Sequence, residues 1–203
     1  PPRNGGGSLW PGGSPRGFAG LGTGKTGELI MADETLTVGG GCFWCLEALF
    51  QRLAGVSQVT PGYAGGDTKK PTYREVCAGN TAHAEVIQIN FDPDTISVGD
   101  LLEFFFQAHD PTTLNRQGND VGTQYRSTIM PHSQEQSTLA RTALDQASGS
   151  FEEAIVTTIE PLETFYPAEA YHHDYYNQHQ SAPYCAFVIS PKLEKLRDRL
   201  TGK

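Results

Sequence analysis

From Thr35 onward, apolar and polar positions recur with regular periods, and each period predicts an element. The stretch ETLTVGG alternates as a short strand that empties into glycines. From about Phe43 to Leu53, Leu46, Leu49, Phe50 and Leu53 repeat at helical spacing, which predicts a helix and turns Glu47 outward unless a site recruits it. VSQVTPGYAGG reads as strand then turn, HAEVIQINFD as an alternating strand, and SVGDLLEFFFQAH as a core-facing helix with Ser97 as N-cap. GTQYRSTIM is strand-like, SQEQSTLARTALDQAS helical and EAIVTTIEP a strand. Near the end YHHDYYNQHQ is polar and aromatic, YCAFVIS is extended, and PKLEKLRDRL is a short helix opened by Pro191. Strands and helices mix without the steady alternation of a doubly wound sheet, so the expected class is α+β in two layers.

Residues 1–30 break this regularity. They are rich in Gly and Pro, hold one acidic residue and show no apolar period, which predicts disorder. The segment lacks the continuous apolar run of a secretory signal and matches a transit peptide weakly. Met31 followed by Ala-Asp-Glu has the character of a start, so the expected division is a tail over 1–30 and a single catalytic domain over 31–203. Within the tail, AGLGTGKT from Ala19 to Thr26 approaches a phosphate-binding loop. Neither a strand feeding it nor a helix after it is in the pattern, and nucleotide binding is not expected.

A chain of 203 residues with 37% apolar content can bury one core of ordinary size. No run of eighteen apolar residues is present, so no membrane span is expected. The net charge of −8, from 15 Lys and Arg against 23 Asp and Glu, comes without a dense basic stripe and argues against nucleic acid as a partner. Four cysteines, Cys42, Cys45, Cys77 and Cys185, are too few for a secreted disulfide framework. They point to a reducing compartment, the cytoplasm or alternatively an organelle, with Cys77 read as a core-filling thiol.

The chemistry concentrates in VGGGCFWCLEALF. Cysteine attacks as its thiolate, and Cys42 lies where a glycine turn meets a helix N-terminus whose free amides favour an anion. Phe43 and Trp44 offer an apolar wall for a methyl-sized group. Three readings are open: Cys-x-x-Cys disulfide exchange, a zinc site from Cys42, Cys45, Cys185 and a histidine, or Cys42 as a nucleophile resolved by another thiol. His172, His173 and His179 form a polar rim rather than metal ligands in this reading, and no cofactor is expected.

PTYREV, HAEV and HDPTTLNRQGNDVGTQYRS are rich in groups that bond an oxygen. Together with GCFW they resemble the A-type peptide methionine sulfoxide reductase family, with several separated motifs in order from about Leu36 to Val188. The expected architecture is then a two-layer α/β sandwich, a ferredoxin-like plait with a mixed sheet and a coil-rich C-terminal segment. The resemblance implies that Cys42 attacks the sulfoxide sulfur, that Glu85 protonates the departing oxygen, and that Tyr73 and Tyr125 donate hydrogen bonds to it. It implies Asp120 as polar support, Phe43 and Trp44 as the methyl pocket, and methionine S-sulfoxide, free or in oxidised proteins and peptides, as substrate. Cys185 matches a resolving cysteine whose disulfide thioredoxin reduces. The chain departs from the pattern at Cys45, where many relatives have glycine, and in having no cysteine after Cys185. Either Cys185 faces thioredoxin directly or Cys45 joins a relay. The direct route is the expected one, because a helix fixes positions i and i+3 while a C-terminal segment can swing.

Overall fold

Strand β1 (Glu34–Gly39) runs into the glycines, and helix α1 (Phe43–Phe50) begins just beyond them. The computed structural model describes residues 33–201, so the tail and its AGLGTGKT stretch lie outside the described residues. Next come β2 (Val56–Ala64), α2 (Tyr73–Cys77), β3 (Ala84–Phe91) and α3 (Val98–Ala108). Two short pairing strands, β4 (Arg116–Gln117) and β5 (Asp120–Val121), form a hairpin before β6 (Thr128–Met130) and α4 (Gln134–Ser148). The remainder holds β7 (Thr158–Ile159), β8 (Tyr166–Pro167), α5 (Tyr175–Gln178), α6 (Ser190–Lys195) and α7 (Arg197–Leu200).

The sheet order is β7-β6-β1-β3-β2-β8, antiparallel except for the parallel pair β6 and β7. Its four inner strands with α1 and α3 reproduce the β1-α-β2-β3-α-β plait, and the sheet is mixed. Side chains alternate across a strand. In β3, Ile87, Ile89 and Phe91 point to the helix layer, where they meet Leu46, Leu49, Leu101 and Phe105. Ala84 and Val86 point the other way, against Leu162 and Phe165. Both faces are covered, which is why β1 is buried continuously from Leu36 rather than at alternate positions.

Several elements differ from the expectation. Helix α1 stops at Phe50 because Arg52 and Leu53 donate to carbonyls only three residues back, the tighter winding typical of a helix end. GTQYRSTIM starts as a single 3₁₀ turn over Thr123–Tyr125, and only its last residues pair as β6. EAIVTTIEP contributes only β7; Val156 instead donates to the Pro111 carbonyl and straps that loop. YCAFVIS is not extended. Cys185–Ile189 is a π-helical turn continuing into α6, with Cys185 and Ile189 buried on one face and Ala186 and Phe187 outside. The apolar run fits strand and helix alike; here both sheet edges are already occupied by β7 and β8. Ser97 caps α3 as expected, reciprocally with Asp100.

Candidate active site

The site forms where β1 ends and α1 begins. A side chain at Gly39 would strike the Glu85 carbonyl, with the added carbon 2.8 Å from it, and Gly41 holds φ +93°. These two glycines let the chain turn beside β3. Cys42 follows as the N-cap of α1, with extended φ −62° and ψ 127°, and is 8% exposed. The expected activation of its sulfur by the helix end is only partly realised. The Trp44 amide does point at the thiol, but the Phe43 amide donates to Glu85 Oε2 at 3.1 Å. Burial, then the nearby Glu85 carboxyl and the Cys45 thiol, push Cys42 well above an ordinary cysteine. The resting sulfur is a thiol.

Glu85 shares the strand parity of Ile87, Ile89 and Phe91, so its carboxyl is driven into the helix layer and is 1% exposed. Burial raises its pKa to about 8, against the opposing pull of the Phe43 amide. At neutral pH it holds its proton. Tyr73 opens α2, which a reciprocal Thr72–Glu75 capping box fixes. The Cys77 thiol lies near the Tyr73 hydroxyl one turn on, so Cys77 is an exposed residue at the site and not core filling as expected. Tyr125, held by the 3₁₀ turn, lies near Glu85, Cys77, Cys42 and Asp120. Burial first, and these neighbours second, keep both phenols un-ionised and therefore able to donate.

Of the aromatic pair, Trp44 alone keeps exposed surface; Phe43 is fully buried against Tyr63, Tyr73 and His172. Trp44 is held on two sides. Its Nε1–H donates to His172 Nδ1 at 3.1 Å, and Tyr175 stacks on it at 3.8 Å and 7°. His172, one of the three rim histidines, is thus buried among the aromatics; His173 donates to or accepts from no group of this cluster and bonds the Ala168 carbonyl, and His179 is exposed. Among the described residues no three His, Cys, Asp or Glu side chains converge as metal ligands.

Three residues escaped the sequence reading. Glu47 is buried rather than solvent-facing, and Oε1 accepts the Asp174 amide at 2.7 Å. The Tyr175 amide adds to this, and Oε2 has no partner. Glu47 thereby pins the turn that lays Tyr175 on Trp44, so Glu47→Ala is expected to raise KM about tenfold, the worth of one charge-assisted hydrogen bond, with a smaller change in kcat. Steady-state kinetics of Glu47→Gln, which keeps one acceptor oxygen, should fall between. Glu169 accepts from the Tyr63 hydroxyl and the Tyr73 amide and so ties β2 to α2. Tyr184 donates to Asp120 Oδ2 at 2.7 Å and contacts Cys45 Sγ at 3.7 Å. Strand parity could have found Glu85; only the return of the C-terminal segment onto α1 explains Glu47 and Tyr184.

Cys42, Glu85, Tyr73, Tyr125 and Asp120, far apart in sequence, are thus gathered at the head of α1, while Cys185 lies farther along that helix beside Cys45 and Ala48. A family model described as "Peptide methionine sulfoxide reductase" matches residues 34–203. A peptide methionine sulfoxide reductase MsrA from Haloquadratum walsbyi is 55% identical over 170 residues, which are 84% of this chain and 98% of that protein. Among solved structures, reduced Mxr1 from Saccharomyces cerevisiae superposes with a TM-score of 0.73 at 35% identity, over 76% of this chain and 90% of that one. Mxr1 in complex with Trx2 matches with a TM-score of 0.52 at 27% identity, over 71% and 85%. By sequence and by fold, the chain belongs to the peptide methionine sulfoxide reductase family.

Proposed function

We propose that residues 31–203 form one catalytic domain that reduces methionine S-sulfoxide, free or within oxidised proteins, to methionine. The observation that carries the reading is the Glu85 carboxyl: buried, held by the Phe43 amide beside Cys42, and protonated up to about pH 8. Breaking a sulfoxide S–O bond requires hydrogen on the departing oxygen, and Glu85, Tyr73 and Tyr125 are all donors in their resting state. Cys42 supplies the electron pair. Its sulfur bonds the sulfoxide sulfur, methionine leaves as the thioether, and the oxygen and one proton remain on Cys42 as a sulfenic acid. The thiol proton and the sulfoxide oxygen account for all atoms of that product, so no net proton is consumed.

A second thiol then condenses with the sulfenic acid, water leaves, and a disulfide that reaches Cys185 is reduced by thioredoxin. The yeast relative solved with Trx2 supports that partner, and the thiol chemistry suits a reducing cytoplasm. No described helix is long and apolar enough to cross a membrane. The test is reduction of a mixed-epimer peptide sulfoxide with dithiothreitol, each epimer followed by chromatography. Loss of the S epimer alone is expected. Consumption of neither epimer, or of the R epimer, overturns the reading.

A further inference from the structure

The tautomer of His172 follows from its neighbour. An indole nitrogen only donates, so the Trp44 Nε1–H at 3.1 Å obliges His172 Nδ1 to be the acceptor. A neutral imidazole carries one hydrogen, which is therefore on Nε2. That nitrogen is buried and makes no hydrogen bond, and Glu169 Oε2 lies 3.8 Å from it. The path of the chain brings the two together: Glu169 precedes a single 3₁₀ turn over Ala170–His172, and its carbonyl accepts the His172 amide at 2.9 Å. The same carboxylate is fixed at both oxygens. Oε1 accepts the Tyr73 amide at 2.9 Å, and Oε2 accepts the Tyr63 hydroxyl at 2.8 Å. Against its burial, these donors, its own amide and the nearby His172 hold Glu169 below the ordinary carboxylate range, so it is ionised at neutral pH. One anion thus stands behind Tyr73 and, through His172, behind Trp44.

What surrounds the imidazole decides how it titrates. The rings of Phe43, Trp44, Tyr73 and Tyr171 pack on it, with Tyr73 at 4.4 Å and Tyr171 at 4.2 Å between centroids. Both phenols are held un-ionised, desolvation coming first, so the charged groups that act on His172 are Glu169 and His173. Burial lowers the His172 pKa, the Glu169 carboxylate opposes that, and His173 adds to it. His172 is therefore neutral at neutral pH, and acid converts it to an imidazolium with hydrogens on both nitrogens. The Nδ1 hydrogen then faces the Trp44 Nε1–H, two donors with no acceptor between them.

We propose that Glu169 is a positioning residue that fixes the His172 tautomer and, through it, holds the Trp44 indole against the substrate, and that protonation of His172 releases this hold. This rests on the reductase reading above, in which Trp44 is the part of the methyl pocket that keeps exposed surface. With His172 neutral, the indole is held both by the imidazole and by the Tyr175 stack. With His172 protonated, only the stack remains. The effect belongs to binding, because protonation of the departing oxygen is left to Glu85, Tyr73 and Tyr125. KM therefore rises toward acid pH while the rate at saturation stays flat.

The experiment reads Trp44 directly. In the full chain carrying Trp10→Phe, Trp44 is the one remaining tryptophan, and a neighbouring imidazolium quenches indole emission. As pH is lowered, emission is expected to fall in one step at a pH below the ordinary histidine value. His172→Gln in that background should remove the step. Glu169→Gln withdraws the anion that favours the imidazolium and should move the step to lower pH, whereas Glu169→Asp keeps the charge and should leave it near the parent's. In steady-state kinetics at neutral pH, Glu169→Gln should raise KM about fivefold, the worth of one neutral hydrogen bond, and lower kcat by less. A step unmoved in Glu169→Gln, or one that persists in His172→Gln, overturns the proposal. So does nitrogen NMR of the unaltered chain that places the imidazole hydrogen on Nδ1 at neutral pH, a readout that needs no variant to fold. A carboxylate that merely braced α2 would slow kcat and leave the step in place. Absence of sulfoxide turnover in the parent is the failure of the reductase reading, told apart because emission and tautomer are read without substrate.

Discussion

Cys42→Ser is expected to leave a folded chain with no measurable sulfoxide reduction, with dithiothreitol or with thioredoxin. The side chain is 8% exposed and makes no side-chain cap to α1, so exchanging sulfur for oxygen disturbs little around it. Chemically it changes everything. A hydroxyl keeps its proton far above any working pH, and its oxygen cannot accept the sulfoxide oxygen as a stable acid the way sulfur does. Loss of the S epimer by Cys42→Ser at even a hundredth of the parent rate, with Cys45, Cys77 and Cys185 intact, would remove Cys42 from the centre of the reaction. Circular dichroism and thermal unfolding close to the parent's are expected alongside, which separates lost chemistry from lost fold.

The second large effect is expected at Glu85. Glu85→Gln keeps the shape and an oxygen for the Phe43 amide, but it has no transferable proton. The first half-reaction, read as single-turnover methionine release, should slow by roughly 10²–10⁴-fold with substrate binding little changed, the range for losing a positioned acid. The pH profile supplies the sign. An acid must carry its proton to work, so the parent rate should be flat below about pH 8 and fall above it as Glu85 ionises. In Glu85→Gln that descending limb should vanish. Stability follows the same linkage. The folded-state pKa lies above the ordinary carboxylate value, so the contribution is fully present below the ordinary range and is lost as pH rises through about 8. Urea unfolding should therefore show the parent losing stability relative to Glu85→Gln as pH rises from the ordinary carboxylate range to about 8, with no further difference developing above it. An unchanged descending limb in the variant would assign the acid role to another group.

Much of this was legible in the residues. The alternation of β3, the capped helix at Ser97 and the Gly-rich entry to Cys42 need only local rules, and local rules found them. The set GCFW, Tyr73, Glu85, Asp120 and Tyr125 was legible only as a pattern shared with a family. By itself Glu85 reads as an ordinary polar strand residue until its parity with Ile87 and Ile89 is counted. What stayed hidden depends on the path of the C-terminal segment. An apolar run such as YCAFVIS carries no period strong enough to separate strand from helix, and its helical turn is decided by what it lands on, Cys45 and Ala48. The same docking buries Glu47 and brings Tyr184 to Asp120. Cys77 misled for the opposite reason: free cysteine is often buried, and here α2 ends in solvent.

The outer margin of the sheet bears on how a chain proposed to meet oxidised proteins avoids pairing with them. Oxidised proteins are partly unfolded and offer loose chain that pairs with any exposed ladder of backbone groups, which is how edge strands seed aggregates. Here β7 and β8 are two residues long, too short to template a partner. The half of β2 that β8 leaves uncovered carries an irregular register between Val56 and Gln58, and at its border Pro61 has no N–H to offer and gives its carbonyl to the Ala168 amide. A foreign strand therefore finds no long, regular run to continue among the described residues, and the margin is a poor nucleus for loose chain to collect on.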